Sequence, residues 1–271
     1  MDECVAVIGS GSWGTTLAKV AGENGRKVLL WARRPELCEE INRTRRNQSY
    51  LPDIALPPSL EATPDLERVC ASAKLLVVVV PSHGMREIAY ALGNHLDGEH
   101  VIVHATKGIE RESFKRMSEV LREETCVRKI GVLSGPNLAR ELALGQPAGT
   151  LIASRYAEVF ARCQQVFGNG YFRVYASQDV IGAEVGGAFK NVVALAAGVA
   201  SGLGLGDNSK ALLITRGLAE MAKLGMAMGG ELVTFAGMAG IGDLIATCSS
   251  TLSRNHQVGE RLARGETIEQ I

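Results

Sequence analysis

The sequence carries no surplus of either charge: 29 lysines and arginines stand against 29 aspartates and glutamates in 271 residues. Without a basic excess to neutralise phosphates, nucleic acid is excluded as a bulk partner. The short basic cluster Arg43, Arg45 and Arg46 reads as a solvated loop. Paired cysteines are also missing. Cys4, Cys38, Cys70, Cys126, Cys163 and Cys248 are widely spread with no CxxC spacing, so neither a disulfide framework nor a metal site is indicated. The N-terminus has acids where a leader would have a basic flank, and no signal peptide is expected. Long hydrophobic runs are absent too: Leu75 to Val80 and Val192 to Ala200 are too short to span a bilayer. There is no repeat and no low-complexity tract. These absences point to a reduced, cytoplasmic protein. What remains is 46% hydrophobic and long enough to bury a large core in one or two domains.

The most informative positive feature comes early. Gly9, Ser10, Gly11, Ser12, Trp13 and Gly14 spell G-x-G-x-x-G between an apolar run, Cys4 to Ile8, and a helix-forming stretch, Thr15 to Glu23. A second apolar strand, Lys27 to Trp31, completes a β-α-β unit. Each glycine has a physical task. Gly9 permits the tight turn, Gly11 lets the backbone approach a pyrophosphate, and Gly14 lets helix and strand pack closely. The amides at the helix start, with the helix dipole, would then hold the diphosphate. The motif in this context predicts dinucleotide binding.

The second strand suggests which dinucleotide. NAD-preferring sites usually carry an acid at its end, where it accepts hydrogen bonds from the ribose hydroxyls. Here that position reads Trp31-Ala32-Arg33-Arg34, and the first acid is Glu36. A guanidinium pair suits a 2′-phosphate, so NADP is favoured over NAD, with Arg33 the closer to the strand end.

Strand and helix signals alternate through about residue 185, as in an α/β fold with a Rossmann-type doubly wound sheet. Strands are expected at Cys4 to Ile8, Lys27 to Trp31, Leu75 to Val80, His100 to Ala105, Lys129 to Leu133, Thr150 to Ala153 and Arg173 to Tyr175. The run Leu75 to Val80 is continuously apolar, the mark of a central parallel strand. Helices are expected between them, among them Glu36 to Arg43, Pro64 to Ala71, Met85 to Leu96, Glu112 to Glu124 and Tyr156 to Phe167. After Asp179 the text turns to Ala, Gly, Leu and Met at helical spacing. This predicts a dinucleotide-binding domain over 1–180 and an all-α C-terminal domain over 181–271. Gly265 to Ile271 reads as the opening of another helix, so the chain is expected to be truncated there.

Ligands in such a sheet gather beyond the carboxyl ends of the strands. Lys107 stands at one of these ends, in Thr106-Lys107-Gly108, and Gly135 to Asn137 follow another. A solvated loop lysine is the bland alternative for Lys107. His83 and His104 lack acid partners in sequence and read as surface or core imidazoles. In the helical part, Lys190 sits among small and β-branched residues, a setting that desolvates an ammonium and favours proton transfer. Asp243 and Thr247, four apart, would share one helical face. Ser253 suits an N-cap, which would put Arg254 and Asn255 at a helix start where amides, dipole and guanidinium converge on an anion. Asp207-Asn208 reads as a helix cap before Lys210.

Taken together, these segments resemble the NAD(P)-dependent glycerol-3-phosphate dehydrogenases, in particular the bacterial biosynthetic type. The likeness spans essentially the whole chain. It rests on Gly9 to Thr15, Thr106-Lys107-Gly108-Ile109-Glu110, Ser134-Gly135-Pro136-Asn137-Leu138-Ala139, Phe189-Lys190-Asn191, Gly206 to Ala211, Gly242-Asp243-Leu244-Ile245 and Ser253-Arg254-Asn255. The resemblance implies an oxidoreductase that interconverts dihydroxyacetone phosphate and sn-glycerol 3-phosphate with NADP or NAD, in the supply of glycerol phosphate for phospholipid synthesis. It implies Lys190 as general acid/base, Lys107 as its substrate-contacting partner, and Asp243 as the acid supporting Lys190, with Thr247 beside it. Arg254 and Asn255 correspond to the phosphate-binding pair, preceded by Ser253. Gly135 and Asn137 match substrate-loop positions, although a serine is common where Asn137 stands. Ser12, Trp13, Arg33 and Ala139 match dinucleotide contacts, with Gly9, Gly11, Gly14, Arg34, Lys107 and Arg254 in the same set. A later Glu-Gly loop and terminal helices of the family would lie beyond Ile271. Two rivals are open at this point: a dehydrogenase acting on a β-hydroxy acid or acyl thioester, and a non-catalytic dinucleotide sensor. A homodimer, packed through Met221, Met226, Met228 and Met238, is open as well; those methionines suit a core equally.

Overall fold

In a computed structural model, residues 4–250 and 252–271 are described. The chain divides into two compact units, one of residues 1–133 and 139–178, the other of 134–138 and 179–271. The first unit alternates strand and helix throughout. Its elements are β1 (Val5–Ile8), α1 (Ser12–Glu23), β2 (Val28–Trp31), α2 (Pro35–Thr44), β3 (Leu60–Thr63), α3 (Leu66–Ser72), β4 (Leu75–Val78) and α4 (Met85–Gly93), followed by β5 (Val101–His104), α5 (Met117–Glu124), β6 (Lys129–Ser134), α6 (Ala139–Ala143), β7 (Ala148–Ser154), α7 (Ala157–Phe167) and β8 (Phe172–Ser177).

The eight strands form one sheet in the order β3-β2-β1-β4-β5-β6-β7-β8. Neighbours from β3 through β6 pair in parallel, as do β7 and β8. Every residue of β1, β4 and β5 is buried, because helices cover both faces, and that is why these strands read as unbroken apolar runs. Each fully buried Val or Leu there contributes roughly 1.5–3 kcal/mol from removal of apolar surface from water. The strand order reverses beside β1, between β2 and β4. That reversal opens a crevice beyond the carboxyl ends of β1 and β4, the usual ligand position in such sheets.

Some boundaries differ from those expected. β3 was not anticipated; its Glu61 faces solvent in a four-residue edge strand. The helix expected from Glu112 begins instead at Met117. Residues 109–116 turn back on themselves, with an Ile109–Arg116 bridge and Phe114 in the left-handed region at φ 56°.

The second unit is helical: α8 (Val180–Gly202), α9 (Asp207–Ala227), α10 (Leu232–Phe235), α11 (Asp243–Ser249) and α12 (Arg254–Ala263). The cap of α9 is Gly206, so Asp207 sits inside its first turn rather than before it. α8 is capped by Asp179, which accepts from the Gly182 amide at 2.7 Å and from the Glu231 amide at 2.9 Å. By length and composition alone, Val180–Gly202 and Leu232–Ser249 could cross a membrane. The run Val192 to Ala200 is therefore only part of a 23-residue apolar helix. In α8 that apolarity serves the core: Val185, Val193, Ala194 and Ala197 pack with Met221, Phe235 and Leu244. α8 and α12 meet backbone to backbone. A Cβ on Gly198 would lie 2.0 Å from the His256 carbonyl oxygen, and one on Gly259 2.0 Å from that of Leu195.

Candidate active site

The glycine turn follows β1. Gly9 adopts φ 120°, and a Cβ there would lie 2.5 Å from the Val79 carbonyl oxygen. A Cβ on Gly14 would lie 1.9 Å from the Gly9 carbonyl oxygen, so α1 approaches the turn as closely as glycine permits. Gly11 is different, because a Cβ there would meet nothing within 4 Å. Gly11 is also the N-cap of α1 and offers no side-chain acceptor. The first-turn amides of Ser12, Trp13 and Gly14 therefore lack an intrahelical partner, and they carry the positive end of a 12-residue helix. Trp13 Nε1 is buried without a partner among the described residues. Closed at Gly9 and Gly14 and open at Gly11, the turn fits a pyrophosphate.

The rest of this half lies around α1. Thr16 Oγ1 donates to the Ala139 carbonyl at 3.1 Å, which sets Ala139 against the helix. Ser12 Oγ donates to the Tyr50 carbonyl at 3.3 Å. Arg33 and Arg34, between β2 and α2, are exposed, and among the described residues no hydrogen bond or ion pair engages their side chains. Lys107 is half-buried just beyond β5. Its loop is anchored on either side. Thr106 Oγ1 donates to the Val80 carbonyl at 2.7 Å, and Glu110 takes a two-pronged ion pair from Arg86, both contacts at 2.7 Å. That guanidinium, helped by Ser113, draws the Glu110 carboxyl down to about 2.

In the helical unit, Lys190 is 6% and Asp243 1% exposed. Lys190 Nζ donates to Asp243 Oδ1 in a short contact and to Thr247 Oγ1 at 2.7 Å. Thr247 Oγ1 in turn donates to the Asp243 carbonyl at 2.7 Å, because residues four apart on α11 share a face. A buried ammonium survives only when paired and hydrogen-bonded, and both conditions are met here. Burial pushes the neighbouring Cys248 thiol up to about 11 against the pull of the Lys190 charge, so it stays protonated near neutrality. α12 starts as expected: Ser253 Oγ accepts from the His256 amide at 3.3 Å, which places Arg254 and Asn255 in the first turn. Arg254 is exposed. Residues 134–138 belong to this unit, and Pro136 lies 3.7 Å from where a Gly242 Cβ would be, so the Gly135–Asn137 loop adjoins the start of α11.

Family models describe both halves of the chain. The N-terminal model of NAD-dependent glycerol-3-phosphate dehydrogenase matches residues 4–160, and the C-terminal model matches 179–271. The chain belongs to the NAD-dependent glycerol-3-phosphate dehydrogenase family. An NAD(P)+ glycerol-3-phosphate dehydrogenase of Bacillus cytotoxicus is 46% identical over 98% of this chain and 79% of its own length. One from Corynebacterium kroppenstedtii is 48% identical over 98% and 81%. Among solved structures, the glycerol-3-phosphate dehydrogenase of Coxiella burnetii superposes with a TM-score of 0.95 at 36% identity, covering 98% of this chain and 82% of that one.

Within this family frame, the expected residues fall into two groups. Gly9, Gly11, Ser12, Trp13, Gly14, Arg33, Arg34, Lys107 and Ala139 lie in the first unit; Gly135, Asn137, Lys190, Asp243, Thr247, Ser253, Arg254 and Asn255 lie in the second. Lys190, Asp243 and Thr247 form a single bonded cluster. One participant was not anticipated. Asn191 Oδ1 accepts from Asn255 Nδ2 at 2.9 Å, joining α8 to the first turn of α12. An amide side chain next to Lys190 in otherwise apolar text was the available signal. Among the described residues there is no group of three or more His, Cys, Asp or Glu able to hold a metal ion.

Proposed function

We propose that this chain interconverts dihydroxyacetone phosphate and sn-glycerol 3-phosphate with NADP or NAD. The observation that carries the reading is the buried Lys190–Asp243–Thr247 cluster, in the same helical unit as a helix start bearing Arg254 and Asn255. The dinucleotide, bound by the glycine turn of α1, supplies the hydride for ketone reduction and accepts it in the reverse direction.

The chain's own residues do the remainder. As the ketone carbon is reduced, negative charge grows on its oxygen. Lys190 gives that oxygen a proton, and Lys107 stabilises the charge; preorganised cations of this kind supply a few kcal/mol, of order 3. Asp243 holds the ammonium in place, and Thr247 fixes its direction by accepting a second hydrogen bond. Arg254 and Asn255 clamp the phosphate with a guanidinium fork and helix-start amides. Binding energy from this non-reacting group then positions the carbonyl. The Gly135–Asn137 loop lines the substrate position beside α11. The two exposed guanidinium groups after β2 favour NADP through its 2′-phosphate, with Arg33 the main contact.

The test is NADPH oxidation by the purified chain with dihydroxyacetone phosphate, against unphosphorylated dihydroxyacetone and a β-keto acid. Consumption with the phosphorylated ketone alone is expected. Turnover with the keto acid instead, or tight NADPH binding with no turnover on any ketone, would defeat the proposal.

A further inference from the structure

The glycine turn is held from outside its own motif. Residues 45–59, between α2 and β3, form a strap. It begins at Arg45, which is in the left-handed region at φ 55°, and closes on itself through an Asn47–Leu51 bridge and a hydrogen bond from the Leu56 amide to the Arg45 carbonyl at 2.8 Å. Leu51 and Ile54 seat the strap against Ala143 of α6. Asn47 projects from it and is 0% exposed. Its Nδ2 donates to the Ser10 carbonyl at 2.8 Å and to Thr15 Oγ1 at 2.8 Å. Thr15 Oγ1 donates to the same Ser10 carbonyl at 3.1 Å. Two donors therefore converge on one backbone oxygen, which has two lone pairs to offer.

That oxygen belongs to the peptide unit joining Ser10 to Gly11. The bond is trans, as are all peptide bonds among the described residues. In a planar trans peptide the N–H points opposite to the C=O. Fixing the Ser10 oxygen thus fixes the direction of the Gly11 N–H. Gly11 is the glycine of the motif that borders open space. Glycine has no side chain to restrain this plane, so the restraint must come from elsewhere.

The chemistry also explains the residue type. Both N–H bonds of the Asn47 amide are used, while its Oδ1 is buried with no partner among the described residues. A buried acceptor without a donor is destabilising. The fold tolerates that to keep a two-armed donor against Ser10 and Thr15. Aspartate has the same shape but no N–H to give, and would place a charge against a carbonyl.

We propose that Asn47 is a positioning residue of the dinucleotide site, fixing the Ser10–Gly11 peptide plane so that the Gly11 N–H is set for the pyrophosphate. The proposal rests on the dinucleotide reading of the glycine turn. The role is confined to the diphosphate. It does not extend to the 2′-phosphate end near Arg33 or to the ketone.

Asn47→Asp and Asn47→Ala, in the full chain, test it. We expect the Michaelis constant for NADPH to rise roughly tenfold, the effect of one lost buried hydrogen bond. Turnover at saturation and the Michaelis constant for dihydroxyacetone phosphate should change less than about twofold, since KM-only effects mark lost uniform binding. In calorimetry, ADP-ribose, which carries the pyrophosphate, should lose the same factor. Adenosine 2′-phosphate, which lacks it, should bind as to wild type. Thr15→Val, a buried change of similar volume, should weaken ADP-ribose too, and combining it with Asn47→Asp should add little, because both act on one carbonyl. Equal losses for both fragments, with turnover falling in step, would make Asn47 a general support of the fold and overturn the proposal. So would unchanged ADP-ribose binding in a folded Asn47 or Thr15 variant. A wild-type chain that bound neither fragment would overturn the dinucleotide reading itself.

Discussion

Asn255 Nδ2 donates to Asn191 Oδ1 at 2.9 Å, tying the first turn of α12 to the residue that follows Lys190. Arg254, its neighbour, is thereby presented from a helix start held at a set offset from the buried lysine. Arg254→Ala should raise the Michaelis constant for dihydroxyacetone phosphate at least ~10-fold, the scale of one charge-assisted hydrogen bond. Inhibition by free phosphate should weaken in parallel. An unchanged Michaelis constant in steady-state assays would count against a phosphate clamp at this position.

Lys190→Ala should lower turnover by at least ~100-fold, the lower end for loss of general acid catalysis. It should also destabilise the fold by about 3–5 kcal/mol, because Asp243, 1% exposed, loses the ammonium that balances its buried charge. The double change Lys190→Met with Asp243→Leu should recover much of that stability in urea melts and none of the activity. Recovery of both would remove Lys190 from the chemistry.

Arg33 is exposed, and no interaction with the described residues engages its side chain, so its removal should leave thermal stability unaltered. Arg33→Ala should weaken NADPH about tenfold, as expected for one guanidinium–phosphate contact. NADH, which has no 2′-phosphate, should bind as before. Equal losses for the two dinucleotides in a fluorescence titration would defeat the 2′-phosphate assignment.

The Glu110 carboxyl is drawn from an ordinary 4.5 to about 2, chiefly by hydrogen bonds from Arg86 and then from Ser113. A carboxyl depressed in the folded state binds its proton later than in the unfolded state. Its stabilising contribution is therefore complete above pH 4.5 and lost as pH falls toward about 2. Melting temperatures across that window should fall less steeply in Glu110→Gln than in wild type. Parallel curves would show that the Arg86 pair does not shape acid stability.

How far the sequence revealed this molecule depends on the element. β1 and β4 were legible because strands covered on both faces must be apolar at every position, and their short length and β-branched valines and isoleucine separate them from a buried helix. β3 was not. Its pattern, Leu60-Glu61-Ala62-Thr63, has one exposed charge in four residues and sits at a sheet edge, where periodicity is too short to register. α6 escaped for the same reason, with five residues and barely a turn of helix. The displaced start of α5 arose because the bridge from Ile109 to Arg116 is a contact between residues that no helical period signals. In the site, Asp243 and Thr247 could be paired from spacing alone, since four residues make one helical turn. Their bonds to Lys190, 53 and 57 residues distant in sequence, depend on how α8 and α11 pack. Asn47 carried no local sign at all. Its bond to Ser10 crosses 37 residues, and an asparagine in a loop looks like any turn residue.

The glycine contacts between α8 and α12 make the helical unit a ruler. At Gly198 and Gly259 main chain touches main chain, with no side chain interposed between the helix bearing Lys190 and the one bearing Arg254. The distance between the two helix axes is thus graduated in peptide units rather than in side-chain rotamers. A side chain larger than hydrogen at either glycine would force the helix carrying Arg254 away from the one carrying Lys190, so the pitch of that seam is written into two hydrogen atoms.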